Sequence, residues 1–266
     1  MCRWMAYGGP EIYLKDVLFE QDNSLIKQSL SARESQWSTN GDGFGVAWYG
    51  HKSTPGVFKD ILPAWNDSNL LSLAHQIESG LFFAHVRASS GTSVARNNCH
   101  PFSVHEWSFM HNGQIGGWPQ LRQSIEALIS PEWYQHRQGT TDSEALFLLA
   151  LTLGLKRDPI LAMNRALGAI AELMKKHEVL EPMRLSAACS DGKQIWGFRY
   201  ASDQHSPSLY YGTPTTHAKD HFPGQINTIA SEPIDDEASH WCAVPENTGL
   251  VWTHGRIQTF AITPMH

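Results

Sequence analysis

Residues 141–177, TDSEALFLLALTLGLKRDPILAMNRALGAIAELMKKH, decide what class of fold this 266-residue chain can adopt. Thr141-Asp142-Ser143-Glu144 has the spacing of a helix-opening capping box, with Thr141 as N-cap and Glu144 reaching back to it. The helix it opens, over residues 143–155, is apolar on nearly every side and so belongs in an interior. Residues 159–177 start with a proline, harmless at a helix start because its missing N–H has no partner there anyway. They continue with a single apolar face, as a second, amphipathic helix.

Outward from this helical pair the pattern changes to short strands. Before it, strands are expected at residues 2–7, 44–49, 57–61, 81–88 and 107–111, with helices at 23–33, 70–77 and 119–128. After it come strands at 185–190 and 194–200 flanking Asp191-Gly192, a two-residue hairpin signal. Further strands are expected at 209–211, 228–230, 249–253 and 257–262. The polar stretch 202–223 is expected to be a long surface loop. This order lacks the alternation of a doubly wound parallel sheet. Two mainly antiparallel sheets with helices outside fit it better, which makes the class α+β. No repeat or low-complexity linker interrupts the chain, so residues 1–266 are expected to form one domain.

Composition removes several function classes. The formal net charge is -6, charged residues are 17%, and no basic run exists, so no nucleic-acid partner is expected. The ten Trp are then core and pocket lining. MCRWMAYGG lacks the apolar core of a leader peptide, and the greasiest region, 145–155, is broken by Thr152 and Gly154. A cytoplasmic protein with no membrane partner is expected. Cys2, Cys99, Cys189 and Cys242 form no CxxC pair, and none of the fourteen histidines has an HExxH spacing. No metal and no organic cofactor are expected.

Cys2 differs from the other thiols by position. Once Met1 is removed, the thiol and a free α-amine belong to one residue. An α-amine titrates near about 7.7, so it can serve as the thiol's base at neutral pH. An ordinary packing cysteine is the everyday alternative. A thiolate attacking an amide also needs oxyanion donors, a clamp for the substrate and a proton for the leaving amine. Asn112 and Gly113 offer an amide side chain and an unobstructed backbone N–H; the alternative is a plain Asn-Gly turn. Arg87 follows a strongly apolar strand, where a guanidinium needs either an internal acid or a carboxylate ligand. Asp142 suits a substrate ammonium, or merely the positive end of its helix. Together Arg87 and Asp142 are complementary to a zwitterionic amino-acid head.

Five blocks, MCRWMAYGG, NGDGFGVAWY, FFAHVRASSGTSVARNNCHPF, FMHNGQI and TTDSEALF, resemble in order and spacing the class II glutamine amidotransferases, especially the stand-alone single-domain type. ASEPID (230–235) and the segment around VPENTGLV extend the likeness. The resemblance implies an N-terminal-nucleophile hydrolase fold, a four-layer αββα sandwich. It implies Cys2 as nucleophile, Asn112 and Gly113 as oxyanion hole, Arg87 with Ser90 near it on the α-carboxylate, and Asp142 on the α-ammonium. His100 is implied to position the loop around the site, and Asn40 and Asp42 to be structural. Gly91 stands where the large synthetase members often carry a pocket-shaping His. The implied activity is a glutamine amidohydrolase or amidotransferase that releases ammonia through a Cys2 thioester, with an ammonia-accepting partner protein in the transferase case. The alternatives are a γ-glutamyl hydrolase acting on a peptide or modified thiol, and a non-catalytic binding subunit.

Overall fold

The computed structural model describes residues 2–34, 39–89, 91–214 and 225–265. Its frame is two antiparallel sheets. The first contains β1 (Arg3–Tyr13), β2 (Phe44–Tyr49), β3 (Gly56–Asp60), β4 (Glu78–Val86), β9 (Tyr210–Gly212), β10 (Thr228–Ala230) and β11 (Trp241–Ala243), in the order β11-β9-β10-β1-β4-β2-β3. The second contains β5 (Phe102–Val104), β6 (Trp107–Gln114), β7 (Arg184–Ser190), β8 (Ile195–Ala201), β12 (Thr248–Thr253) and β13 (Arg256–Ala261), in the order β13-β12-β8-β7-β6-β5.

Side-chain alternation along the strands builds three cores. Trp4, Ala6 and Phe83 on one sheet meet Met110, Ala188 and Leu250 on the other, filling the space between the sheets. The alternate residues Met5, Tyr7, Phe82 and Ala84 face outward, against Leu14 and Val17 of α1 (Leu14–Leu18), Leu25 of α2 (Leu25–Leu30) and Leu70 of α3 (Ser68–Gln76). On the far side, Phe109, Leu185 and Phe198 pack against α4 (Trp118–Glu126), α5 (Pro131–Tyr134), α6 (Asp142–Thr152) and α7 (Pro159–Lys176). The layers therefore run helix, sheet, sheet, helix, the αββα sandwich. Helix α6 is buried along nearly its whole length, as its all-round apolar sequence requires. Among the described residues no helix is long and apolar enough to cross a membrane.

Three local expectations need correction. Thr141 does cap α6, accepting from the Glu144 N–H at 3.2 Å, but Glu144 does not reach back to it. That carboxylate instead accepts from the backbone N–H groups of Gln138 and Gly139 and pairs with Arg137 at 2.7 Å. A buried Arg competes successfully for it because a charged donor makes the stronger bond. The Asp191-Gly192 turn is longer than two residues, since the ladder closes at the Ser190–Ile195 pair. Asp191 explains this by accepting from the N–H groups of Lys193 and Gln194, a turn built on a side chain. The expected loop at 202–223 is interrupted by β9; its residues 215–223 lie outside those described.

Candidate active site

The two sheets deliver their ends to one place. In the first sheet Arg3 pairs with Val86 across the β1–β4 ladder, so one further antiparallel step sets Cys2 opposite Arg87. Arg87 is gripped from β2's side: its N–H donates to the Gly43 carbonyl at 2.8 Å, and its carbonyl accepts from Asp42 at 3.0 Å. In the second sheet β6 carries His111, Asn112 and Gly113, and the next turn is tied to α6 by the Ile115 N–H donating to the Asp142 carboxylate at 2.8 Å. Between these ends lies a cavity of about 290 Å³ lined by Cys2, Arg87, His100, Gly113 and Asp142, with Trp118 and Glu181 on a further wall.

Cys2 is held from behind. Arg3 is fully buried, donates from Nη1 to the Cys2 carbonyl at 2.9 Å, and pairs through Nε with Glu232 at 2.9 Å. Glu232 in turn accepts from Asn23 and from the N–H groups of Arg33 and Glu34. The Cys2 thiol itself is half-buried and donates to the Ala88 carbonyl at 3.5 Å. Burial pushes this thiol up from its ordinary range, and the Arg87 and Arg3 guanidiniums pull it only part of the way back. A neutral resting thiol of this kind needs a base to become a nucleophile.

Arg87 is 3% exposed, and its guanidinium donates only to neutral oxygens: the Thr92 hydroxyl at 2.7 Å, the Ser89 hydroxyl and Ser93 carbonyl at 3.3 Å, and the Asp42 carbonyl at 3.4 Å. No ion pair reaches it among the described residues, so the internal-acid alternative is excluded there. Asp142 accepts from the N–H groups of Ile115 and Ser143, both at 2.8 Å, and likewise has no cationic partner among the described residues. One cavity thus presents the Arg87 cation and the Asp142 anion, neither neutralised by a charge among the described residues, with the exposed Glu181 as a further acidic residue of its lining.

Asn112-Gly113 is not a turn; both residues lie inside β6. Gly113 is required there, because its φ is +152° and a Cβ would run into the Arg184 carbonyl. Asn112 is 1% exposed, and neither its amide nitrogen nor its amide oxygen has a partner among the described residues. Asn112 does not itself line the cavity; its neighbours His111 and Gly113 do. His111 bridges to α6 through Nδ1 and the Ser143 hydroxyl at 2.9 Å. Burial lowers its imidazole, and Asp142 draws it part of the way back up.

His100 lines the cavity and stacks on His85, ring centroids 4.2 Å apart. Burial drives His85 down to about 3 and His100 well below the usual histidine range, so both are neutral. Asp42 braces the loop by accepting from the Ser89 N–H at 2.7 Å, and Asn40 is fully buried. Ser90 lies outside the described residues. Gly91 adopts φ +76° on the cavity wall with open space where a side chain would stand. Sequence reasoning missed the His85 stack, Trp118, Glu181 and the Arg3–Glu232 anchor. The Gly116-Gly117-Trp118 run was the available signal for the far wall: a Cβ on Gly116 would strike the Glu181 carbonyl, so only glycine lets these segments meet.

Comparisons with known proteins agree with this architecture. The family model described as glutamine amidotransferases class-II matches residues 18–211. The chain is 34% identical to the probable glutamine amidotransferase DUG3 of Saccharomyces cerevisiae, across 94% of this chain and 81% of that protein. It is 26% identical to the gamma-glutamyl-hercynylcysteine sulfoxide hydrolase of Mycolicibacterium smegmatis, across 92% and 93% respectively. A solved glutamine aminotransferase class-II domain protein from Silicibacter pomeroyi superposes with a TM-score of 0.77 at 36% identity, covering 99% of this chain and 100% of that one. The chain belongs to the class II glutamine amidotransferases.

Proposed function

We propose that residues 1–266 act as one amidotransferase domain that hydrolyses the side-chain amide of a γ-glutamyl compound, with Cys2 as nucleophile. The observation that carries this reading is the pair Arg87 and Asp142, opposite charges without ion-pair partners among the described residues, bordering the same cavity as the Cys2 thiol. A buried guanidinium without an acid is costly and persists when a ligand completes it. The α-carboxylate of the substrate meets Arg87 and the α-ammonium meets Asp142.

After removal of Met1, the α-amine of Cys2 takes the thiol proton and the sulfur adds to the δ-carbonyl carbon. Gly113 donates to the oxyanion from the cavity wall, and the buried Asn112 amide behind it, unpartnered among the described residues, turns to the oxyanion as a second donor. The α-ammonium returns the proton to the nitrogen as the C–N bond breaks, leaving a γ-glutamyl thioester. Water adds to that thioester and glutamate departs. His100 and Asp42 hold the loop that carries Arg87, and Ser90 is assigned beside the α-carboxylate on family resemblance. A reducing cytoplasm suits the reaction because it keeps the thiol free.

A second reading is favoured by the cavity's reach past the catalytic residues to Trp118, Pro119 and Glu181. Ammonia needs no such wall, so the leaving group is larger, as in a γ-glutamyl hydrolase. The mycobacterial relative carries such a name. An ammonia-accepting partner protein is needed only for the transferase case. The test is glutamate release from glutamine and from a γ-glutamyl amide with a bulkier amine. Wild-type protein should turn over at least one of them, and Cys2→Ala should lose about 10³-fold or more in kcat. Retained turnover in Cys2→Ala would overturn the proposal.

A further inference from the structure

Once the head group is bound, the charges left on the cavity wall select the leaving group. Among the described lining residues the only side-chain cation is Arg87, and the proposed function commits it to the α-carboxylate, as it commits the Cys2 α-amine to carrying the thiol proton. Asp142 is likewise committed to the α-ammonium. What remains is Glu181, exposed at the rim and without an ion pair among the described residues, together with the Trp118 ring.

The nearby cations are spent elsewhere. Arg137 lies 5.9 Å from the Trp118 ring but is bound to Glu126 at 2.9 Å and Glu144 at 2.7 Å. Arg3 is locked to Glu232, and Arg184 to Asp203 at 2.6 Å. The lining imidazoles, His100 and His111, are lowered by burial and supply no charge at neutral pH. A carboxylate on the leaving group would therefore find no uncommitted side-chain cation and would share the cavity with Glu181. An ammonium would find a carboxylate and an indole, both attractive to it.

We propose that this cavity takes γ-glutamyl amides of amines, cationic amines before neutral ones, in preference to γ-glutamyl amino acids and peptides. The inference rests on the reading under Proposed function and names its substrate class. The chemistry is the same for each: the amide C–N bond breaks, the departing amine takes its proton from the Cys2 α-ammonium, and the glutamyl group stays on sulfur.

The experiment uses the full-length, Met1-free chain and three substrates of similar size: γ-glutamyl 2-aminoethylamide, γ-glutamyl propylamide and γ-glutamylglycine. The expected order of kcat/KM is aminoethylamide, propylamide, glycine. The extremes should differ about tenfold at low salt, and the gap should narrow as ionic strength rises. In Glu181→Lys the order should invert, and because the ratio is read within one enzyme, a change in overall activity does not mask it. Equal or faster cleavage of γ-glutamylglycine by wild type, or an order that Glu181→Lys leaves alone, overturns the inference. If glutamine is hydrolysed and none of the three amides is, the inference fails while the proposed function stands. If neither glutamine nor any amide is cleaved, the proposed function fails with it.

Discussion

Arg3, which opens β1, and Arg87, just past the end of the neighbouring β4, are both buried, yet they are held in opposite ways. Arg3 is locked to Glu232, a carboxylate that also gathers the Asn23 amide and two backbone N–H groups. Arg87 touches hydroxyls and carbonyls only. The first arrangement is complete without a ligand and fixes the backbone of Cys2. The second leaves a full positive charge waiting for an anion. A buried cation with its acid is complete as scaffold, whereas one without leaves a charge that a ligand's anion can complete.

That contrast makes the two arginines separable by experiment. Arg3→Met leaves Glu232 buried without its charge partner and should cost about 3–5 kcal/mol of stability, read from urea unfolding. Arg87→Met removes no ion pair, so its unfolding midpoint should not fall, while kcat/KM for a γ-glutamyl amide should drop about a hundredfold or more. If the two variants exchanged these signatures, the distinction would be lost. Asp142→Asn keeps an oxygen for only one of the Ile115 and Ser143 N–H groups, which donate to different carboxylate oxygens, so stability should fall by about 1–3 kcal/mol and substrate binding should weaken as well. The loss should appear as a KM raised about tenfold, the size expected for one charge-assisted contact in uniform binding.

The comparison extends to groups able to shed their charge. His85 and His100 stack behind the cavity and stay neutral, His85 only protonating near about 3. In the unfolded chain each takes up a proton near about 6.5. Because the folded values are the lower ones, the unfolded state binds more protons as pH falls below that point. Stability is therefore full above about 6.5 and declines toward 3, by roughly 1.4 kcal/mol per pH unit for each imidazole. His85→Gln should flatten the slope of urea stability against pH between 6 and 4. An unchanged slope would mean that His85 is not neutral in the fold.

How much of this was legible in the sequence depended on whether the signal was local. Helices α6 and α7 were, because a cap, a proline and a long apolar period sit within their own residues. The short α1 and α5 were not, since a single turn leaves no period to detect. The layer order came from family resemblance, as alternation along a strand says which face is apolar but not what covers it. At the site, Cys2, Arg87, His100, Gly113 and Asp142 were named from the sequence and line the cavity, whereas Asn112, named with them, lies buried behind its wall and Ser90 lies outside the described residues. Glu232 and His85 were missed because their partners, Arg3 and His100, are distant in the chain, and Trp118 and Glu181 because separate segments bring them together.

Whether Cys2 is a nucleophile facing a γ-glutamyl head group can be read most directly by intact mass spectrometry before and after treatment with a diazo-ketone analogue of glutamine. A chain lacking Met1 should gain a single adduct, located on Cys2. The adduct should be absent in Cys2→Ala and strongly reduced in Arg87→Met. An adduct on another residue, or none on a Met1-free chain, would contradict that role for Cys2.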